Sequence, residues 1–65
     1  MLKIAERRKA LGLSQYQLAE KIGIHQTTLA NWETEFRFPN VKMLIKLSNA
    51  LKCTIDDLID KESHT

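Results

Sequence analysis

Gln26, Thr27 and Asn31 lie within one short stretch of the chain, at a spacing that places them on the same side of a helix. Ala30 shares that side, while Leu29, Trp32 and Glu33 fall on the other. A helix face that only meets water usually carries Lys and Glu. Short uncharged amides and hydroxyls instead offer paired donors and acceptors. Gln and Asn amides match the N6 and N7 groups of adenine in bidentate fashion, and a Thr methyl packs on the thymine methyl. On this helix alone, a plain polar surface is an equally good reading.

A second pair of residues carries charge where charge is costly. Arg8 falls on an apolar stripe with Ile4 and Leu11, so its guanidinium needs a partner. Glu33, four residues after Leu29, faces inward as well. Other chemistry is sparse. His25, His64 and Cys53 do not have a metal-ligand spacing, and Cys53 reads as a small apolar residue. Asp56, Asp57 and Asp60 read as a charged helix face, not a carboxylate pair in a pocket. No Ser-His-Asp or Cys-His arrangement is visible. Trp32 is expected in the core, because base stacking needs an exposed aromatic array. An enzyme, a metal, a cofactor and a small-molecule substrate are therefore not expected.

The elements that position these residues are helices. Apolar residues recur at spacings of three and four, and no stretch alternates as a strand would. Helix 1 is expected over about 2–11, with Gly12 as a left-handed cap and Leu13 folding back. Helix 2 is expected over 15–22: Ser14 and Gln17 form a capping box, and Leu18, Ala19 and Ile22 form the inner face. Gly23 ends it at a turn that favours positive φ, and Ile24 re-enters the core. Helix 3 is expected over 26–33, with His25 a mediocre cap and a loop following over 34–39. Helix 4 starts after Asn40, a good N-cap, and runs to about Leu51 with Val41, Leu44, Leu47 and Leu51 inward. Thr54 caps helix 5, whose apolar side is Ile55, Leu58 and Ile59 and whose first turn holds Asp56 and Asp57. Residues 61–65 read as a frayed tail after a single domain over 1–60.

Composition narrows the class. Sixty-five residues make one small domain, with 43% hydrophobic content and only two glycines and one proline, too few for a sandwich or barrel. The net charge is +2, and the basic excess lies in residues 1–37, which contain six Lys/Arg against four Glu. A polyanion would meet that half. One cysteine cannot form an internal disulfide and suits a reducing cytoplasm. No apolar run approaches a membrane span, and with Met1 in place the chain reads as a complete cytosolic protein.

Residues 15–34, Q-Y-Q-L-A-E-K-I-G-I-H-Q-T-T-L-A-N-W-E-T, resemble the helix-turn-helix unit of the phage repressor and Cro class, the XRE family. The matching positions are Gln15, Leu18, Ala19, Ile22, Gly23, Ile24, Leu29, Trp32 and Glu33. The lead-in L-G-L-S-Q, the R-F-P at 37–39 and the tail L-I-K-L-S-N-A-L-K-C-T-I-D-D-L-I also look like the family, so the resemblance covers about residues 3–60. It implies an all-α, five-helix, lambda-repressor-like bundle that binds double-stranded DNA and regulates transcription, as a bacterial or phage-encoded repressor in the cytoplasm. Base readout is then assigned to Gln26, Thr27 and Asn31, and backbone contacts to Gln15, Thr28, Arg37, Asn40 and Lys42. The resemblance also implies a Gln15–Gln26 brace and an Arg8–Glu33 ion pair. A weak homodimer on a palindromic operator is expected, through Met43, Ile55 and Ile59.

Two departures from the family pattern matter. Thr34-Glu35-Phe36 replaces a loop that is usually small or basic, with Glu35 where Gly is common; Lys52 also stands where a capping Gly is common. They bring an anion and an apolar ring toward the expected phosphate path. The alternative reading is a protein-interaction module of the same fold, antitoxin- or antirepressor-like, that uses Phe36, Phe38 and the Met43, Ile55 and Ile59 surface.

Overall fold

A computed structural model describes residues 2–59. Its helices are α1 (Ile4–Ala10), α2 (Gln15–Ile22), α3 (Gln26–Glu33), α4 (Val41–Ala50) and α5 (Ile55–Leu58). Asp60, His64 and the expected tail lie outside the described residues, among which the only extended pairing is an isolated antiparallel bridge between Leu2 and Ile59.

Each helix contributes one fully buried aliphatic to a common core: Ile4, Leu18, Leu29, Leu47 and Leu58. Ala19, Ile22, Trp32, Ala50 and Leu51 complete it, and Leu13, Ile24, Met43, Leu44 and Cys53 pack against it. The α2–α3 contact is the most extensive in the bundle, and Ala19 on α2 is 1% exposed. Burial pushes the free Cys53 thiol up from its ordinary value, with Asp57 adding to the rise and Arg7 opposing it. It packs as a small apolar group.

The helix ends follow local rules. Ser14 accepts from Gln17 N–H at 3.0 Å while Gln17 Oε1 accepts from Ser14 N–H at 2.8 Å, a complete capping box. Thr54 and Asp57 form a second box on α5. Helices α1, α2 and α4 all end in the same reversal, in which the N–H just after a left-handed residue bonds the carbonyl five residues back: Leu13 to Arg8, Ile24 to Ala19, and Cys53 to Ser48. The left-handed residue that makes each reversal is Gly12 at φ 72°, Gly23 at φ 78° and Lys52 at φ 57°.

Three expectations from the sequence need correction. Helix α1 begins at Ile4, not Leu2, because Lys3 donates its N–H to Leu58 O at 2.7 Å and Leu2 pairs with Ile59. It ends at Ala10, so Leu11 is past the stripe and 43% exposed, and Leu13 covers the core instead. Val41 is not on the inner face of α4 but 69% exposed. At 3.6 residues per turn Val41 lies about 120° around the helix from Leu47, whereas Met43 lies only about 40° away. Met43 therefore turns inward and packs on the core, which removes it from the surplus apolar surface assigned to dimer contacts.

Candidate nucleic-acid interface

The outward face of α3 is presented by its packing. Leu29 and Trp32 are buried, which leaves Gln26 and Thr27 exposed and Thr28 and Asn31 half-buried. His25, the N-cap residue, is exposed and makes no side-chain capping bond. An open groove runs between α2 and the start of α3, lined by Tyr16, Ala19, Glu20, Ile24, His25, Gln26 and Thr27. Tyr16 is 60% exposed on its wall, so it does not cover the core.

Behind this face lies an ion pair. Arg8 donates Nε to Glu33 Oε2 at 2.8 Å, Nη2 to Glu33 Oε1 at 3.1 Å and Nη1 to Leu13 O at 2.8 Å. The two side chains are only 10% and 7% exposed, and the guanidinium finds three acceptors, which satisfies a buried charge. The same Glu33 Oε1 accepts from Gln15 Nε2 at 2.9 Å, and Gln15 Oε1 accepts from Gln26 Nε2 at 3.4 Å. The Gln15–Gln26 brace is thus present as one link of a longer chain that starts at Arg8.

The loop after α3 has its own construction. Glu35 takes φ 64°, and its Oε2 accepts the Leu2 N–H at 3.1 Å. The carboxylate expected to stand on a phosphate path is therefore occupied by the N-terminal backbone. Arg37 is exposed, with its guanidinium carbon 5.4 Å from the centroid of the Phe36 ring, and its N–H bonds Asn31 O at 3.2 Å. Asn40 caps α4 by accepting from Met43 N–H at 2.9 Å, and Lys42 is exposed in the first turn. Among the described residues no group of three His, Cys, Asp or Glu side chains is placed to hold a metal.

A family profile described as helix-turn-helix matches residues 4–58. The chain belongs to the helix-turn-helix family. Within it, α2 and α3 are the two helices that give the family its description.

Among curated proteins, the chain is 35% identical over 60 residues to the HTH-type transcriptional regulator ImmR of Bacillus subtilis, covering 92% of this chain and 47% of that protein. It is 36% identical over 56 residues to the cryptic phage CTXphi transcriptional repressor RstR of Vibrio cholerae, covering 86% of this chain and 50% of that one. It is 33% identical over 60 residues to the HTH-type transcriptional activator BcrR of Enterococcus faecalis, covering 92% and 29% respectively. The chain thus spans half or less of the length of these relatives.

Sequence reasoning did not find the Gln15–Glu33 bond, because 18 residues separate the two and nothing local signals it. It also did not find His25 lining the groove beside Gln26. A signal for His25 was available: a poor capping residue at the N-cap leaves its side chain free for another role.

Proposed function

We propose that this helix-turn-helix domain binds double-stranded DNA in a sequence-specific manner and regulates transcription, most simply by occupancy. The observation that carries this is the uncharged outward face of α3, braced through Gln15 on a buried ion pair. In this reading α3 enters the major groove, where Gln26, Thr27 and Asn31 meet base edges. Gln15 and Thr28, the N-terminus of α4 with Asn40 and Lys42, and Arg37 meet phosphates, where free N–H groups at helix starts favour anions. The relatives' names include both a repressor and an activator. Either sign follows from the same docking, with repression requiring only that polymerase be excluded.

Two protomers on a palindromic site, one DNA turn apart, supply the specificity that one small domain lacks. Ile59 at 37% exposure and half-buried Ile55 are the remaining apolar contacts for this pairing. Selection of random duplexes on the purified protein tests the proposal. An enriched palindrome bound by two protomers, with affinity that falls as salt rises, is the expected result. A pool that stays random would sink it.

One observation favours a second reading, a protein-interaction module. Phe36, Phe38 and Val41 are 71%, 64% and 69% exposed, more apolar surface than a phosphate-facing loop needs. Stable association with another protein in the absence of DNA, abolished by Phe38→Ser, would favour it.

A further inference from the structure

The Arg37 guanidinium is an exposed charge that, among the described residues, enters no ion pair and donates no side-chain hydrogen bond. The nearest carboxylate in sequence, Glu35, is turned to the Leu2 N–H at 3.1 Å. What Arg37 does meet is a ring, with its guanidinium carbon 5.4 Å from the Phe36 centroid. A cation within about 6 Å of a ring centroid is attracted by the negative face of the π system. Phe36 itself is 71% exposed, more than any other large apolar side chain described, so core packing does not account for it.

Stacking on a ring and binding a phosphate do not compete. A guanidinium is planar, with its N–H donors in the plane and none on its faces. A ring against one face leaves the edge, where two parallel N–H groups match a phosphate in bidentate fashion. The backbone beneath the pair is tied down as well. Glu35 N–H bonds Trp32 O at 3.2 Å, and Arg37 N–H bonds Asn31 O at 3.2 Å. The freedom that remains lies in the long Arg37 side chain, and losing it on binding weakens the contact.

We infer that Phe36 is a positioning residue for Arg37: the ring holds the guanidinium by its face, leaves the edge free, and so raises the affinity of the loop for a DNA phosphate. This rests on the proposal above that Arg37 meets the backbone. A phosphate can draw Arg37 into place unaided. The ring therefore sets how much of the free protein is already competent, not which group is bound. An exposed pair of this kind enriches the stacked arrangement about two- to fivefold, and affinity rises by no more than that factor. The apolar ring expected to obstruct the phosphate path then serves it.

The test measures binding of the full chain to a random-sequence duplex over a salt series, since a phosphate contact carries no sequence information. Phe36→Leu keeps an apolar side chain and removes the π face, whereas Phe36→Trp keeps the face. Phe36→Leu is expected to weaken binding about two- to fivefold. The slope of log affinity against log salt is expected to stay unchanged, because Arg37 still reaches its phosphate. Phe36→Trp is expected to bind at least as tightly as the parent chain. Added to Arg37→Ala, Phe36→Leu is expected to cost nothing further. Urea midpoints are expected to match the parent's, because so exposed a ring holds little of the fold together.

Binding by Phe36→Leu equal to the parent's overturns the inference, as does Phe36→Trp binding as weakly as Phe36→Leu. An equal loss from Phe36→Leu with and without Arg37→Ala also overturns it, since the ring would then touch the DNA on its own account. A further readout needs no DNA. Ring-current displacement of the Arg37 side-chain proton signals is expected in the parent chain and lost in Phe36→Leu, and its absence from the parent overturns the inference whatever the binding data show. Should Arg37→Ala alone leave affinity and slope unchanged while that displacement holds, the backbone role of Arg37 has failed and takes the inference with it.

Discussion

The turn from α2 into α3 reverses through Gly23 at φ 78°, whereas the loop from α3 toward α4 reverses through Glu35 at φ 64°. Glycine adopts that conformation without steric cost, while a residue with a side chain is held there against a cost of about 1–3 kcal/mol. The first turn is self-sufficient: the α2 reversal closes with Ile24 N–H on Ala19 O at 2.9 Å and Ile24 packs on the core. The second is supported from a distance, by Leu2 N–H on the Glu35 carboxylate. Leu2 in turn pairs with Ile59, so the shape of the α3–α4 loop depends on the meeting of the two ends of the described chain. The difference teaches where precision is kept. The side that positions Gln26 is fixed by local chemistry and a buried ion pair, and the side that presents Arg37 is tied to the end of α3 by backbone bonds from Glu35 and Arg37 and to the N-terminal segment through the Glu35 carboxylate.

The largest expected effect strikes the braced side. Arg8→Ala strands the Glu33 carboxylate, 7% exposed, and removes three hydrogen bonds. Breaking a buried pair from one side costs about 3–5 kcal/mol. At about 0.05–0.15 kcal/mol per residue, a chain this size has little more than that to lose. A marked fall in the urea midpoint is the expected result, and an unchanged midpoint would mean the bracing contributes nothing.

Next in size is a contrast in DNA binding. Asn31→Ala is expected to relax preference at one position per half-site by about 1–3 kcal/mol. Arg37→Ala is expected to weaken all sequences alike, with the slope of log affinity against log salt flattened by about 0.9. Equal behaviour of the two variants in a binding series over salt would erase the distinction between the two sides of α3.

Smaller effects separate local from distant support. Lys52→Gly relieves a left-handed residue with no side-chain bond to lose, and is expected to raise stability by at most about 1 kcal/mol after the entropy of glycine is counted. Glu35→Gly relieves the same strain but releases Leu2 N–H, so no gain or a net loss is expected. Urea midpoints of the two variants check this, and a gain from Glu35→Gly equal to that from Lys52→Gly would show that Leu2 does not support the loop.

The smallest effect concerns acid. The Thr54 backbone N–H, then its hydroxyl, hold the Asp57 carboxyl below its ordinary value of 3.8, with Arg7 and Lys3 assisting against desolvation. A carboxyl lowered by folding contributes stability that is fully present above the unfolded value and is lost as pH falls through the folded one. Asp57→Asn is therefore expected to shrink the loss of stability between neutral pH and pH below 3.8, measured by urea midpoints at each pH.

Much of the bundle was legible because its signals are local. Ser14 with Gln17, Gly23 and Asn40 set the bounds of α2 and the start of α4, since caps and reversals act within one turn. Periodicity placed Leu18, Leu29, Leu47 and Leu58 inside. It failed for Val41, where the spacing of three had drifted around the helix from Leu47, and for Leu11, where the helix had already ended. The candidate interface was legible as side-chain types and less so as connections.

The sequence by itself determined that five short helices form, which aliphatic of each helix is buried deepest, and that Arg8 and Glu33 each carry a charge that burial makes expensive. It also marked Gln26, Thr27 and Asn31 as an uncharged outer face. Tertiary structure alone decided how those parts are joined. Gln15 reaches Glu33 across 18 residues of chain, and Leu2 reaches Glu35 across 33. Periodicity assigns each side chain a face of its own helix. Which side chain it meets across the bundle depends on how the helices pack, and that is set by the whole core at once.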